Sequence, residues 1–324
     1  MTAFPARSAL TVCFAHVAYR MGDRFTVRSP DIRFVEVRDR DAFEAAIPGA
    51  DVVVVSGMWR NELLANAPKL RFIQSISAGV DQYDKARLAA AGVRLASAQG
   101  SNERAVAEHA ISLILAMSRQ LHLARDNQAK RHWRGMIGDL GKREDELGDK
   151  TLVIVGLGRI GSRLATIARA FGMHVIGTKR DPSTGAGAAD EVVADAGLHD
   201  VLPRADYVAL TCPLTPQTEK LIDTRALAAM KPSAFLINVA RGRCVDEPAL
   251  IAALNDGRIA GAALDVAVEE PLGAASPLWA MPNVLVTPHS AGETRQYEDN
   301  VLDLLMENLD RLWRGESALK NQVV

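Results

Sequence analysis

The chain has 324 residues, 48% of them hydrophobic and 24% charged, with a formal net charge of −1. That length suits two domains, and the composition suits a globular protein with a sizeable core. A pI near 6.7 implies no basic face for nucleic acid or anionic lipid, so neither is expected as a partner. The three cysteines, Cys13, Cys212 and Cys244, lie far apart in sequence. They suit buried thiols in a reducing compartment, not a disulfide framework, and no metal site is expected. The apolar run at residues 8–15 is too short for a membrane span, and His16 interrupts it where a signal sequence would continue. A cytoplasmic protein is the expectation.

In chain order, short β-branched runs predict strands at 11–14, 33–37, 51–56, 71–77 and 93–96. Helical spacing falls between them at 41–46, 61–67 and 83–90. Strand–helix alternation predicts a parallel sheet with helices on both faces. From Asn102 the positions Val106, Ala110, Leu113, Ile114, Met117 and Leu121 predict one long helix to about residue 127, with Asn102 as its N-cap. Residues 128–146 are polar and carry Trp133 and Met136, which reads as an arm.

A second alternating run follows. Its predicted strands are 151–155, 174–178, 191–193, 207–211, 234–239, 261–266 and 284–287, with helices at 160–171, 225–230 and 247–255. Lys231-Pro232 closes one helix, and a last helix at 293–313 is stopped by Gly315. The expected class is α/β, with two doubly wound parallel-sheet domains.

The strand at 151–155 runs into Gly156-Leu157-Gly158-Arg159-Ile160-Gly161 and then a helix. G-x-G-x-x-G between a buried strand and a helix is a dinucleotide-binding pattern. The glycines allow a tight turn, close backbone approach to a pyrophosphate, and close helix–strand packing. The helix N-terminus offers free N–H groups to the anion. At the end of the next strand, where an acidic residue would bind the adenosine ribose, stand Lys179 and Arg180. Cations there suit a 2′-phosphate, so NADP(H) is favoured, while the adjacent Asp181 keeps NAD(H) open.

Three polar groups follow strand ends in the second run: Arg241, Glu270 and His289. Carboxyl ends of parallel strands are where such sheets bind ligands. A histidine can protonate the alkoxide formed when hydride reaches a carbonyl. A neighbouring carboxylate favours the imidazolium and fixes the ring. An arginine can grip a carboxylate and polarise the carbonyl beside it.

These residues sit within an ordered set of motifs. They are Ser77-Ala78-Gly79-Val80-Asp81, Val106-Ala107-Glu108-His109, the glycine turn, and Cys212-Pro213-Leu214-Thr215-Pro216-Gln217-Thr218. Asn238-Val239-Ala240-Arg241-Gly242, Leu264-Asp265-Val266, Glu270-Pro271-Leu272 and Thr287-Pro288-His289 follow. The set resembles the D-isomer-specific 2-hydroxyacid dehydrogenases, in particular their glyoxylate/hydroxypyruvate reductase-like members.

The resemblance implies an oxidoreductase that reduces a small 2-keto acid to a D-2-hydroxy acid with NAD(P)H. Arg241 would bind the substrate carboxylate and keto oxygen, His289 would be the acid/base, and Glu270 would raise the pKa of His289. Backbone N–H groups in the Ala78-Gly79-Val80 loop would hold the carboxylate. Asp265 would meet the nicotinamide carboxamide. Val106, Ala240, Cys212, Pro213 and Thr218 would line the cofactor site, with Gly156, Gly158, Arg159, Ile160 and Gly161 at the pyrophosphate.

The same resemblance implies that a Rossmann cofactor domain, residues 102–291, is inserted into a flavodoxin-like substrate domain, residues 1–101 and 292–324. It also implies a homodimer through the helix and arm at about 103–146, with Trp133 as the interface anchor. Two features depart from the family pattern. Ala267 and Val268 follow Leu264-Asp265-Val266 where an aromatic and an acid are common, and Lys179 replaces the usual acid. The Glu–His pairing also differs from the Gln–His pairing of the family's formate dehydrogenases. The alternative reading is a non-enzymatic, dinucleotide-sensing corepressor-like protein on the same fold.

Overall fold

A computed structural model describes residues 4–324. The chain divides into two compact units, one comprising the chain up to Asn102 with Glu293–Val324, the other Glu103–Gly292.

In the first unit, β1 (Thr11–Ala15), β2 (Arg33–Val37), β3 (Val52–Val55), β4 (Phe72–Ser75) and β5 (Arg94–Ala96) form a parallel sheet. Its order, β2-β1-β3-β4-β5, is the flavodoxin-like one. Every residue of the four-valine strand β3 is buried, as expected where helices cover both faces of a parallel sheet. The helices are α1 (Gly22–Arg28), α2 (Arg40–Ala46), α3 (Lys85–Ala90) and, from the far end of the sequence, α10 (Tyr297–Trp313). Val12 and Phe14 of β1 pack on one side with Phe25 of α1 and Leu305 of α10. Cys13 and Ala15 point to the other side, into a core with Phe43 of α2 and Leu88 of α3.

The second unit holds seven parallel strands: β6 (Thr151–Val155), β7 (His174–Lys179), β8 (Glu191–Ala194), β9 (Tyr207–Leu210), β10 (Phe235–Asn238), β11 (Gly261–Leu264) and β12 (Val284–Val286). Their order is β12-β11-β10-β9-β6-β7-β8. The chain winds outward from β6 in one direction, then returns to β9 and winds outward in the other. That reversal is the topological switch point of a Rossmann sheet, where a crevice opens at the carboxyl ends. Helices α4 (Glu103–Ser118) and α6 (Arg159–Ala170) cover one face, against Leu152 and Ile154. Helices α7 (Leu198–Val201), α8 (Thr224–Ala229) and α9 (Glu247–Asn255) cover the other, against Val153 and Val155.

Three local expectations need correction, and one helix went unpredicted. The long helix breaks: α4 stops at Ser118, Gln120 takes φ 50°, and α5 (Leu121–Ala129) restarts. The buried face of α4 ends at Met117 and Ser118, where the Ser118 hydroxyl donates to the Asp145 carbonyl, and α5 buries no residue. With no packing left to align it, the second segment turns away. Residues Asn61–Asn66 form a 3-10 helix, not an α-helix, closed by i→i+3 bonds at Leu63 and Ala67. Pro68 comes two residues beyond Asn66, and Ala67, the residue before it, resists the α region and takes φ −118°. The last helix starts at Tyr297, because the four polar residues before it offer no apolar face and Tyr297 N–H instead closes a turn on Thr294. Helix α1 escaped sequence reading because only Gly22 and Phe25 in it are buried.

The three cysteines are free and buried. Among the described residues, no helix is long and apolar enough to cross a membrane.

Candidate active site

The glycine turn lies between β6 and α6. Gly156 takes φ +94°, and a Cβ on it would lie 2.8 Å from the Cα of Cys212. A Cβ on Gly161 would lie 2.5 Å from the Gly156 carbonyl oxygen, so only glycine permits this turn and helix to pack so closely. Gly158 faces open space and begins α6 with no side chain capping it. The helix N-terminus is therefore free to receive an anion at the place where a pyrophosphate would approach.

Around this turn lie the other expected cofactor residues. Cys212 and Val106 are buried. The Thr218 hydroxyl donates to the Pro213 carbonyl at 2.6 Å and accepts from the Thr215 N–H at 2.7 Å, which closes the loop beyond β9. Lys179 ends β7, and its ammonium donates to the Gly185 carbonyl at 2.7 Å and to the Thr184 hydroxyl at 3.3 Å. Arg180 beside it is exposed. Asp181 is turned to its own loop, where it accepts from the N–H and hydroxyl of Ser183.

The chemical groups come from the ends of three adjacent strands. After β10, the Asn238 amide donates to the Arg241 carbonyl and accepts from the Ala240 N–H, both at 3.0 Å. These two bonds fix the turn that presents Arg241. The next residue, Gly242, presses on the chain beyond β11: a Cβ there would lie 1.9 Å from the carbonyl carbon of Ala267. The arginine turn is thus seated on the backbone that leads to Glu270.

Beyond β12, His289 takes φ 54°, and its N–H donates to the Thr287 carbonyl at 3.0 Å. Its Nδ1 lies 2.7 Å from Glu270 Oε2, while Glu270 Oε1 accepts from the Ala267 N–H at 3.1 Å. The side chains remain 47% and 39% exposed, so the pair is reachable from solvent. The bond to Glu270 holds His289 above the usual imidazole range, against the opposing effects of burial and of Arg241. Burial pushes Glu270 upward, but His289, the Ala267 N–H and Arg241 outweigh it and hold the carboxyl below its usual range. The expected triad therefore meets in one place, with Arg241 close enough to act electrostatically on both partners.

Asp265 lies at the centre of the same strand ends and is 1% exposed. Its Oδ1 accepts from the Thr287 hydroxyl at 2.6 Å and the Ser290 N–H at 2.9 Å, and its Oδ2 from the Ala291 N–H at 3.0 Å. His109 Nε2 lies 3.0 Å from the Thr287 hydroxyl and 3.4 Å from Asp265 Oδ1. Burial raises the Asp265 carboxyl, and these donors more than reverse it. Sequence reasoning gave no role to His109 or Thr287. The signal available was His109's place on α4, at the edge of a buried face formed by Val106, Ala107, Ala110 and Leu113. In the first unit, Ala78, Gly79 and Val80 follow β4 and are partly exposed, and their N–H groups meet no acceptor among the described residues.

The sequence pattern described as "D-isomer specific 2-hydroxyacid dehydrogenase, NAD binding domain" matches residues 111–291. Glyoxylate/hydroxypyruvate reductase B of Yersinia enterocolitica is 35% identical over 317 residues, 96% of this chain and 95% of the relative. D-3-phosphoglycerate dehydrogenase of Mycobacterium tuberculosis is 37% identical over 293 residues, 88% of this chain. The match covers only 53% of that relative, so the chain spans about half the length of such phosphoglycerate dehydrogenase relatives. Among solved structures, the NADPH-dependent glyoxylate/hydroxypyruvate reductase of Sinorhizobium meliloti, in complex with NADP and malonate, superposes with a TM-score of 0.82 at 29% identity. It covers 98% of this chain and 97% of its own.

Glu270→Gln removes the largest contribution holding a proton on His289 and leaves burial and Arg241 to oppose it, with Asp265 alone still favouring it. The His289 midpoint, read from imidazole chemical shifts in a pH titration, is expected to fall. An unmoved midpoint would show that the carboxylate does not control that ring.

Proposed function

Because the chain belongs to the D-isomer specific 2-hydroxyacid dehydrogenase family, we propose that it reduces a small 2-keto acid to the D-2-hydroxy acid. The observation that carries this reading is the contact between Glu270 and His289 beside Arg241. A bound nicotinamide dinucleotide would supply the hydride. The glycine turn fits such a group, since Gly158 is open and α6 is uncapped.

Each residue then has a stated task. Arg241 binds the substrate carboxylate and draws electron density from the keto oxygen. Nδ1 of His289 is engaged by Glu270, so Nε2 is the ring nitrogen left to deliver a proton to that oxygen. Glu270 keeps the imidazole charged while the substrate waits. In the reverse direction the neutral imidazole takes the hydroxyl proton. Asp265 Oδ2 accepts from the Ala291 N–H and has capacity for one more donor, which suits a carboxamide N–H.

Lys179 and Arg180 favour NADP(H) over NAD(H), because they put two cations at the end of β7 and Asp181 is committed to Ser183. The chain acts as a homodimer through α4, α5 and the arm. This is supported by the large apolar groups the arm leaves outside, Trp133 at 95% exposure with Met136 and Leu140 beside it in sequence.

The deciding experiment is an initial-rate survey of glyoxylate, hydroxypyruvate, pyruvate and larger 2-keto acids with each reduced cofactor. Absence of turnover with all of them would overturn the reading. Arg241→Ala is expected to lower kcat/KM by about 10²–10³-fold, the scale for losing one donor to a developing oxyanion, while cofactor affinity holds. Near-normal turnover would remove Arg241 from the site. Lys179→Asp is expected to move the ratio of kcat/KM values toward NADH. A constant ratio would dismiss the role of that cation. Light scattering should give twice the 34.9 kDa chain mass, and Trp133→Asp should yield a monomer; a monomeric parent would contradict the dimer.

A further inference from the structure

Helix α4 carries a histidine that the proposed reaction does not use directly. Nε2 of His109 lies 3.0 Å from the hydroxyl of Thr287, two residues before His289. The hydroxyl has one proton, and at 2.6 Å from Asp265 Oδ1 that proton goes to the carboxylate. Toward His109 the hydroxyl can then only accept. The imidazole must therefore hold its own proton on Nε2, and the contact has a fixed direction: His109 to Thr287 to Asp265.

The chain beyond β12 depends on that network. Asp265 also takes the N–H groups of Ser290 and Ala291, at 2.9 and 3.0 Å. His289 is thus bracketed, by Thr287 on one side and by Ser290 and Ala291 on the other, all tied to one buried carboxylate. The same backbone closes on itself where the His289 N–H meets the Thr287 carbonyl. His109 is the outside support of this knot, and its side chain is only 23% exposed. Without it, the Thr287 hydroxyl would lose its donor and Asp265 would lose a nearby proton while staying buried, which is a poor state for an ionised carboxylate.

We propose that His109 is a positioning residue for proton transfer: through Thr287 and Asp265 it sets the place of the loop that holds His289 against Glu270. The inference rests on the keto-acid reductase reading for its kinetic consequences, though not for the geometry. The groups that act on the His289 ring are Glu270 from the loop after β11, Arg241 from the turn after β10 and Asp265 at the end of β11. His109 on α4 stands behind Thr287. A loop that drifts chiefly lengthens the 2.7 Å contact with Glu270, the contact on which protonation of His289 depends most.

The test is a titration of the His289 ring, followed by imidazole chemical shifts, in the full chain and in His109→Leu, His109→Gln and Thr287→Val. The His289→Gln variant identifies the resonance. In His109→Leu and Thr287→Val the midpoint is expected to fall, and in His109→Gln to stay close to the parent, since Gln Nε2 can donate from the same position. In turnover, His109→Leu should lower kcat about tenfold, part of the ~10²–10⁴-fold that a placed acid contributes, with little change in KM for the keto acid. The fall in rate at high pH should move to lower pH with it. If His109→Leu does not fold, Thr287→Val carries the test alone. A midpoint that stays put in a folded variant lacking either the imidazole or the hydroxyl overturns the proposal, as does a Gln variant as damaged as the Leu one. The titration needs no substrate. A parent with a raised midpoint but no turnover would instead defeat the reaction and leave the positioning role standing.

Discussion

A carboxylate placed against an imidazole, 2.7 Å from Glu270 Oε2 to His289 Nδ1, is the contact on which the proposed chemistry of the second unit depends. Both partners are more than a third exposed, so water screens them and the pair adds little to folding stability. Its effect is on proton occupancy. Glu270 stays ionised to lower pH than a free carboxylate, and His289 stays charged to higher pH than a free imidazole. Between those limits the ring carries a proton that it can give up, and it is oriented by the nitrogen it does not use.

The sheet brings these groups together with little freedom. In the register of β10, β11 and β12, Asn238 lies opposite Leu264 and Leu264 opposite Val286. Arg241 and His289 each stand three residues beyond their own member of that row, and Glu270 comes from the longer loop between them. Parallel strands all finish on one side, so three short excursions converge without long loops. Contact between the excursions does the rest. The backbone at Ala267 occupies the volume a side chain at position 242 would need, which locks the arginine turn to the carboxylate loop.

Much of this was legible in the sequence, and what was illegible has a physical pattern. The strands announced themselves because a parallel sheet buried on both faces needs unbroken apolar runs, as in the four valines of β3. The glycine turn, Arg241 and His289 announced themselves by standing just after such runs, and Glu270 by following the β11 run within one loop. The break at Gln120 did not, because apolar spacing records which positions could share a face and not whether anything lies there to cover it. The closeness of Gly242 to Ala267 and the bond from His109 to Thr287 join residues 25 and 178 positions apart, and no local pattern encodes them. Lys179 is a partial case. Its position at the end of β7 follows from the spacing, whereas its engagement with Gly185 is set by a turn whose path the sequence does not declare.

Two carboxylates in the same cluster show how environment assigns different work to one functional group. Asp265 and Glu270 are both held below their usual pKa ranges, and in both the donors prevail over burial. Asp265 is buried and accepts from a hydroxyl and two backbone N–H groups, with an imidazole close by. Protonating it would break several bonds at once in a dry place, so it serves as an anchor whose charge is constant across ordinary pH. Glu270 reaches solvent and has one strong side-chain partner, so its state responds when that partner gains or loses a proton. A site that moves protons needs both kinds: one charge fixed enough to define where the imidazole stands, and another near enough to share in its titration.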